Sequence, residues 1–183
     1  MSQPRGASFA YVIVPAGPAD AEALARVHVA SWRESYRGLL PDAFLARMSE
    51  PGYVRRFRRE LTQPEPHEVV LAAVNPYGVF GYVAGGPSRA RVDGEAEIAT
   101  LYVLRAAQDR GVGRRLLVGA ARALAAQGAR SLVISVLRDN LPARGFYEKL
   151  GGVADAPRQE PGPGGMVWEV AYRWSDIRKL VSG

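Results

Sequence analysis

Gln108-Asp109-Arg110-Gly111-Val112-Gly113-Arg114-Arg115 joins a strand-like run, EIATLYV at residues 97–103, to a helix-like run from Val112 to about Gln127. A helix start leaves backbone N–H groups without intrahelical partners, and the helix dipole adds partial positive charge there. Gly111 and Gly113 carry no side chain, so a ligand can come close to the backbone. Arg110, Arg114 and Arg115 add full positive charge. The combination suits a phosphate or pyrophosphate. A dinucleotide fingerprint would need a third glycine where this chain has Leu116, and the chain has no G-x-x-x-x-G-K-[ST] string. What remains is Q-x-x-G-x-G between a strand and a helix. Taken alone, it reads equally well as a tight turn with solvated arginines.

The 183 residues carry 24 Lys and Arg against 18 Asp and Glu, a formal net charge of +6. The densest basic cluster, Arg55, Arg56, Arg58 and Arg59, falls on a short helical stretch and reads as a solvated face. Nucleic acid therefore ranks below a small phosphorylated ligand as a partner. A composition of 48% hydrophobic and 23% charged residues fits a globular fold. The chain has no cysteine, so disulfides, a thiolate nucleophile and thiolate metal ligands are excluded, and no metal site is expected. MSQPRGASFA lacks the apolar centre of a signal peptide. No apolar run approaches the ~20 residues of a spanning helix. The expectation is a cytoplasmic protein with no membrane partner.

Residues 9–14 read as a first strand, and Gly17-Pro18-Ala19-Asp20 opens a helix that runs to Tyr36. Short helices follow at 43–48 and 53–61, then strands at 68–74 and 79–84 around the turn Asn75-Pro76-Tyr77-Gly78. Residues 85–93 read as a loop, with Gly85-Gly86-Pro87 as the breaker, and 96–104 as the long strand. After the loop, Val112, Leu116, Ala120 and Leu124 make an apolar stripe that ends at Gly128. Residues 131–137 are almost continuously apolar, as a strand covered on both faces should be. A helix at 141–150, a short strand at 153–156, a flexible loop at 159–165 and a strand at 166–174 complete the order. The strand-helix-strand step over 96–137 predicts a parallel pair with a right-handed crossover. One domain is expected over 8–175, with 1–7 and 176–183 as terminal extensions.

A second motif lies downstream. EIATLYV, QDRGVGRRLL, an apolar strand and NLPARGFYEKLGG follow one another within roughly residues 95–152. In that combination the chain resembles the GNAT-type N-acetyltransferases, whose pyrophosphate loop reads [R/Q]-x-x-G-x-[G/A]. The early string HVASWRESYRGLLP at 28–41 resembles the first helices of a small-molecule or protein-amine branch of that superfamily. Many relatives carry a proline shortly after the strand valine, where this chain reads Leu104-Arg105-Ala106-Ala107. The resemblance implies an α/β (α+β) fold: a mixed, mostly antiparallel central sheet with one splayed parallel strand pair, flanked by helices. It implies acetyl-coenzyme A as cosubstrate and a small-molecule or protein amine as acceptor. A homodimer is among the assemblies it admits.

Moving an acetyl group from a thioester to an amine needs a deprotonated amine, donors for the oxyanion and a proton for the leaving thiolate. The resemblance implies that backbone N–H groups near Leu101, Tyr102 and Val103 serve the acetyl and pantetheine amides. Gln108, Asp109, Arg110, Gly111, Val112, Gly113 and Arg114 form the pyrophosphate loop. Tyr147 in GFYEKLG matches the acid that protonates the thiolate, and Asn140 is placed both to cap its helix and to meet the pantetheine arm. Glu97 is the leading carboxylate base, acting directly or through a water. Glu95 lies two residues away on the same face and is hard to separate from it. Trp32 and Tyr36 are candidates for the acceptor pocket. The competing reading is a coenzyme-A-binding sensor or interaction module without turnover.

Overall fold

In the computed structural model, residues 10–182 are described, and the long strand is the centre around which they pack. The strands are β1 (Val12–Pro15), β2 (Val69–Asn75), β3 (Gly78–Pro87), β4 (Glu95–Val103), β5 (Ser131–Leu137), β6 (Val153–Ala154), β7 (Arg158–Gly162) and β8 (Gly165–Trp174). The helices are α1 (Ala21–Ser35), α2 (Asp42–Arg47), α3 (Glu50–Thr62), α4 (Val112–Ala126), α5 (Leu141–Lys149) and α6 (Ile177–Ser182). The sheet runs β1-β2-β3-β4-β5-β8-β6, with β7 paired to β8. Every pairing is antiparallel except β4 with β5. The fold is thus mixed α/β, with a mostly antiparallel open sheet, one parallel pair and helices on both faces. Phe9, assigned to the first strand from sequence, lies outside the described residues.

The helices form where apolar spacing demands. On α1, Ala21, Leu24, Ala25, Val27, His28 and Ser31 are buried at three- and four-residue intervals. On α4 the same spacing buries Val112, Leu116, Leu117, Ala120, Ala121 and Leu124. The α4 stripe joins Ile98, Leu132, Ile134, Tyr147, Tyr172 and Trp174 in the larger core cluster on one face of the sheet. α1 and α3 cover the other face through Leu24, Val27, Phe57, Ala72 and Tyr82. Arg33 donates from Nε to the Leu45 carbonyl at 3.3 Å and from Nη2 to that of Met48 at 2.9 Å, tying the end of α2 to α1.

Three expectations need correction. Gly85, Gly86 and Pro87 are not a loop but the end of β3, opposite Ile98, Glu97 and Ala96. A Cβ at Gly85 would lie 2.6 Å from the Glu97 carbonyl oxygen, so the glycine is there for close backbone approach rather than for a turn. The pairing jumps from Ala84–Thr100 to Gly85–Ile98, leaving Ala99 as the extra residue of a β-bulge. Residues 159–165 are likewise not a free loop. They hold most of β7 and the turn into β8, where Gly164 and Gly165 take positive φ of 83° and 135°. Pro161 is tolerated because β7 is an edge strand. Finally, the residues read as a C-terminal extension form α6, and Ile177 and Leu180 are buried in the larger core cluster. The sequence pattern there is too short to establish a helical period.

The bulge reverses the side-chain alternation along β4. Before it, Ala96 and Ile98 face α4; after it, Leu101 and Val103 do. Glu95 and Glu97 share the α1 face with Tyr102.

His28 is buried in this inner layer. Its Nδ1 lies 2.6 Å from the Tyr82 hydroxyl, and its ring meets Trp32, Tyr53, Phe57 and Tyr102. Burial, with Arg56 nearby, lowers its pKa from 6.5 to about 3. The native imidazole stays neutral where the unfolded chain's imidazole binds a proton. Stability contributed by this group is therefore complete above pH 6.5 and is lost as pH falls, by about 1.4 kcal/mol per unit. Chemical denaturation of wild type and His28→Phe at pH 7 and pH 5 should show wild type losing about 2 kcal/mol more than the variant. Equal losses would mean the imidazole is protonated in the native state.

Candidate functional site

β4 and β5 pair only over Glu95–Ser131 to Ile98–Ile134. Beyond the bulge the two strands part, and β5 continues with β8 as far as Leu137–Glu169. On the side of β4 that faces β5, residues 99–103 have no ladder partner, so amide groups there are left for a ligand. A cleft of about 490 Å³ opens in this wedge. Its walls are residues 99–103 of β4, residues 134–136 of β5, the glycine loop with the start of α4, the start of α5, and Ser35 and Tyr36.

The loop presents open amide donors to the cleft. Residues 105–107 make one 3-10 turn, with the Ala107 amide donating to the Leu104 carbonyl at 2.8 Å, so no proline is needed to set its course. Gln108 Nε2 donates to the Val103 carbonyl at 2.9 Å and braces the loop against β4. Asp109 and Gly111 take left-handed φ of 58° and 74°. Gly111 is the residue before the first turn of α4 and has no side-chain cap, and the first intrahelical bond arrives only at the Arg115 amide. The amides of Val112, Gly113 and Arg114 are thus left as open donors at the helix start. Gln108, Asp109, Gly111, Val112, Gly113 and Arg114 all line the cleft. Arg110 is not among the lining residues. Arg115 is turned away, its guanidinium 4.4 Å from the centre of the Tyr11 ring. Gly113 is confined from behind, because a Cβ there would meet Phe146 at 3.3 Å.

Asn140 and Tyr147 reach the same cleft from α5. The Asn140 side-chain oxygen accepts from the Ala143 amide at 3.3 Å, so it caps the helix while lining the wall. Tyr147 is 6% exposed, its ring against Phe146, Tyr172 and Trp174. The hydroxyl has no hydrogen-bond partner among the described residues. Burial, with Tyr36 as a lesser cause, pushes its pKa well up. It therefore carries its proton throughout the neutral range.

Leu101 and Val103 put their side chains into the core on the α4 side. The Tyr102 side chain goes the other way, its hydroxyl 3.3 Å from that of Tyr36. Tyr36 lines the cleft, whereas Trp32 stands behind it with ring centres 4.9 Å apart. The Trp32 indole nitrogen is buried and has no hydrogen-bond partner among the described residues.

The carboxylates are separated from the others. Glu97 does not line the cleft. Its Oε2 accepts the Arg89 amide at 3.0 Å, and its Oε1 accepts Arg89 Nε at 2.8 Å and Nη2 at 2.5 Å. Glu95 accepts Ser88 Oγ at 2.9 Å and pairs with Arg173, which also holds Asp155 at 2.7 Å. That network straps β4 to β8 across β5. Glu169, which the sequence reading did not single out, lies on the same sheet face, and burial raises its pKa, with Glu160 and Glu97 adding and Arg89 opposing. Its signal was only its place in an alternating strand. Nothing in the sequence brings residue 169 beside residue 36. Among the described residues there is no group of His, Asp and Glu suited to a metal ion, and no helix long and apolar enough to cross a membrane.

Comparison with known proteins bears on this geometry. The model of the acetyltransferase (GNAT) family matches residues 29–152. The uncharacterized N-acetyltransferase YuaI of Bacillus subtilis is 28% identical over 162 residues, which is 88% of this chain and 91% of that protein. Among solved structures, the PaiA N-acetyltransferase of Thermoplasma acidophilum, in complex with coenzyme A, superposes with a TM-score of 0.70 at 20% identity, over 88% of this chain and 98% of that one. YncA from Salmonella typhimurium, with its cofactor acetyl-CoA, gives 0.69 at 18% identity, over 92% and 94%.

Proposed function

The chain belongs to the acetyltransferase (GNAT) family, and from that premise we propose that it transfers the acetyl group of acetyl-coenzyme A to a primary amine by direct attack in a ternary complex. The observation that carries the reading is the wedge between β4 and β5, closed at one end by uncapped helix amides and reached by a buried phenol. The residues fit the cosubstrate. Amides of Val112, Gly113 and Arg114 suit its diphosphate, with Arg114 adding charge. Unladdered β4 amides near Leu101, Tyr102 and Val103, and Asn140, suit the pantetheine arm. What acetyl-coenzyme A supplies when bound is an activated acyl carbon with a thiolate leaving group. Tyr147 is the acid that protonates the sulfur. Tyr36, backed by Trp32, forms a wall of the acceptor side. The absence of cysteine from the chain favours direct transfer over a thioester on the protein.

The test is free-thiol release from acetyl-coenzyme A across a panel of amino acids, polyamines, aminoglycosides, peptide N-termini and lysine peptides, beside calorimetric binding of the cosubstrate. Thiol release with at least one amine class is expected. Tight binding with no release from any of them would favour the sensor reading instead.

A further inference from the structure

Resting on the acetyl-transfer reading, we propose that Glu169, rather than Glu97, is the carboxylate that receives the acceptor's ammonium group and takes its proton.

The geometry separates the two. Glu97 has both oxygens occupied by one arginine, through its amide and its guanidinium. A carboxylate held this way is committed to Arg89, and it does not line the cleft. It also sits two residues before the bulge, where β4 and β5 are still paired. Glu169 differs in its partners and in its place along the sheet. Its carboxylate makes no hydrogen bond or ion pair among the described residues. It lies opposite Leu137, in the part of β5 that has already left β4. Val170 and Tyr172 face the α4 side, so Glu169 and Val167 face the α1 side. There Leu137, Val167, Trp32 and Tyr36 pack in one apolar cluster. Glu169, like Glu97, is not itself among the residues that line the cleft, but it stands on the sheet face of the apolar wall that Tyr36 extends into the cleft, near enough for its charge to act on Tyr36. A half-buried carboxylate next to aromatic rings is the setting in which an alkylammonium loses water and gains a counter-ion.

The charged and titratable groups around Glu169 are Arg89 and Glu97 from the β3–β4 side, Glu160 and Arg158 on β7, the latter opposite Glu169 in the ladder, and Tyr36 just past the end of α1. Burial and the two other glutamates raise its affinity for a proton, against Arg89. The chemistry then balances. The ammonium gives one proton to Glu169, which passes it to water. The freed lone pair forms the C–N bond. As the C–S bond breaks, its electron pair leaves on sulfur, which takes the Tyr147 proton, and the phenolate is restored by the proton that the new amide nitrogen sheds.

The experiment is the pH dependence of kcat/KM, for the amine that gives most thiol release, in wild type, Glu169→Gln, Glu169→Asp and Glu97→Gln. Acetyl-coenzyme A affinity is measured on each. In wild type the profile should rise with pH and level off above the ordinary carboxylate range, well below the pKa of the amine itself, ~10.4 if lysine-like. In Glu169→Gln, kcat/KM at pH 7 should fall about 100-fold. Its profile should climb tenfold per pH unit up to the amine's own pKa, with cosubstrate affinity unchanged. Glu169→Asp should keep the plateau at a lower rate, and Glu97→Gln should keep a plateau, its onset moved to lower pH by the charge lost near Glu169. A Glu169→Gln profile that levels off like wild type would overturn the assignment, as would loss of the plateau in Glu97→Gln alone. Absence of thiol release from wild type would instead strike the acetyl-transfer reading.

Discussion

Replacing Gly113 by glutamate should weaken acetyl-coenzyme A binding by roughly 100-fold or more, about 3 kcal/mol, while the protein still folds. Two physical effects act together. Gly113 is the second residue of α4, and its amide is among those left open by the uncapped helix start. A carboxylate on it would stand beside a diphosphate, and two like charges about 4 Å apart cost about 4 kcal/mol at the effective dielectric of a protein surface. The new Cβ would also press on Phe146, which lies 3.3 Å from where it would be. φ at Gly113 is not positive, so the backbone itself accepts a side chain. Gly113→Ala is therefore the control: it keeps the amide and adds no charge, and its affinity should stay within a few fold of wild type. Calorimetric titration of both variants reads the result. Glutamate and wild type binding alike would remove the glycine loop from cosubstrate recognition.

Tyr147→Phe should lower kcat by about 100- to 1,000-fold, within the ~10²–10⁴-fold typical of a positioned general acid, and leave acetyl-coenzyme A affinity unaltered. The ring would keep its contacts with Phe146, Tyr172 and Trp174. Since the hydroxyl has no hydrogen-bond partner among the described residues, stability should change by less than about 1 kcal/mol. The raised phenol pKa adds a second expectation. Wild-type kcat should show no alkaline decline from tyrosine ionisation up to about pH 10, where an ordinary phenol begins to lose its proton. Steady-state kinetics over pH 6–10 tests both. An undiminished rate in the phenylalanine variant would make Tyr147 a packing residue only.

How much of this was legible in the sequence differs by element. α4 and β5 could be read within a residue or two, because an apolar stripe from Val112 to Leu124 and an almost continuously apolar run at 131–137 each have one structural solution. The glycine loop could be read because its chemistry is local: Gly111, Gly113 and the helix they open are neighbours in the chain. Gly85 could not be read correctly. Glycine-glycine-proline signals a turn, and only the Glu97 carbonyl across the ladder reveals that the missing side chain makes room for a partner strand. Glu97 and Glu169 show the same limit for function. Whether a carboxylate is tied or open depends on Arg89 in one case and on Leu137 and Val167 in the other. These are contacts between distant parts of the chain, which period and spacing do not encode.

The position of β8 carries a consequence for biosynthesis. It follows β6 in the chain yet lies between β5 and β6 in the sheet. On the ribosome, β5 is therefore made with one rim bare, and it stays so until a strand some thirty residues further on has emerged. An apolar, β-branched rim is a template for pairing between nascent chains. Yield in a heterologous host should thus respond to chaperone supply and growth temperature more than to substitutions on the finished surface.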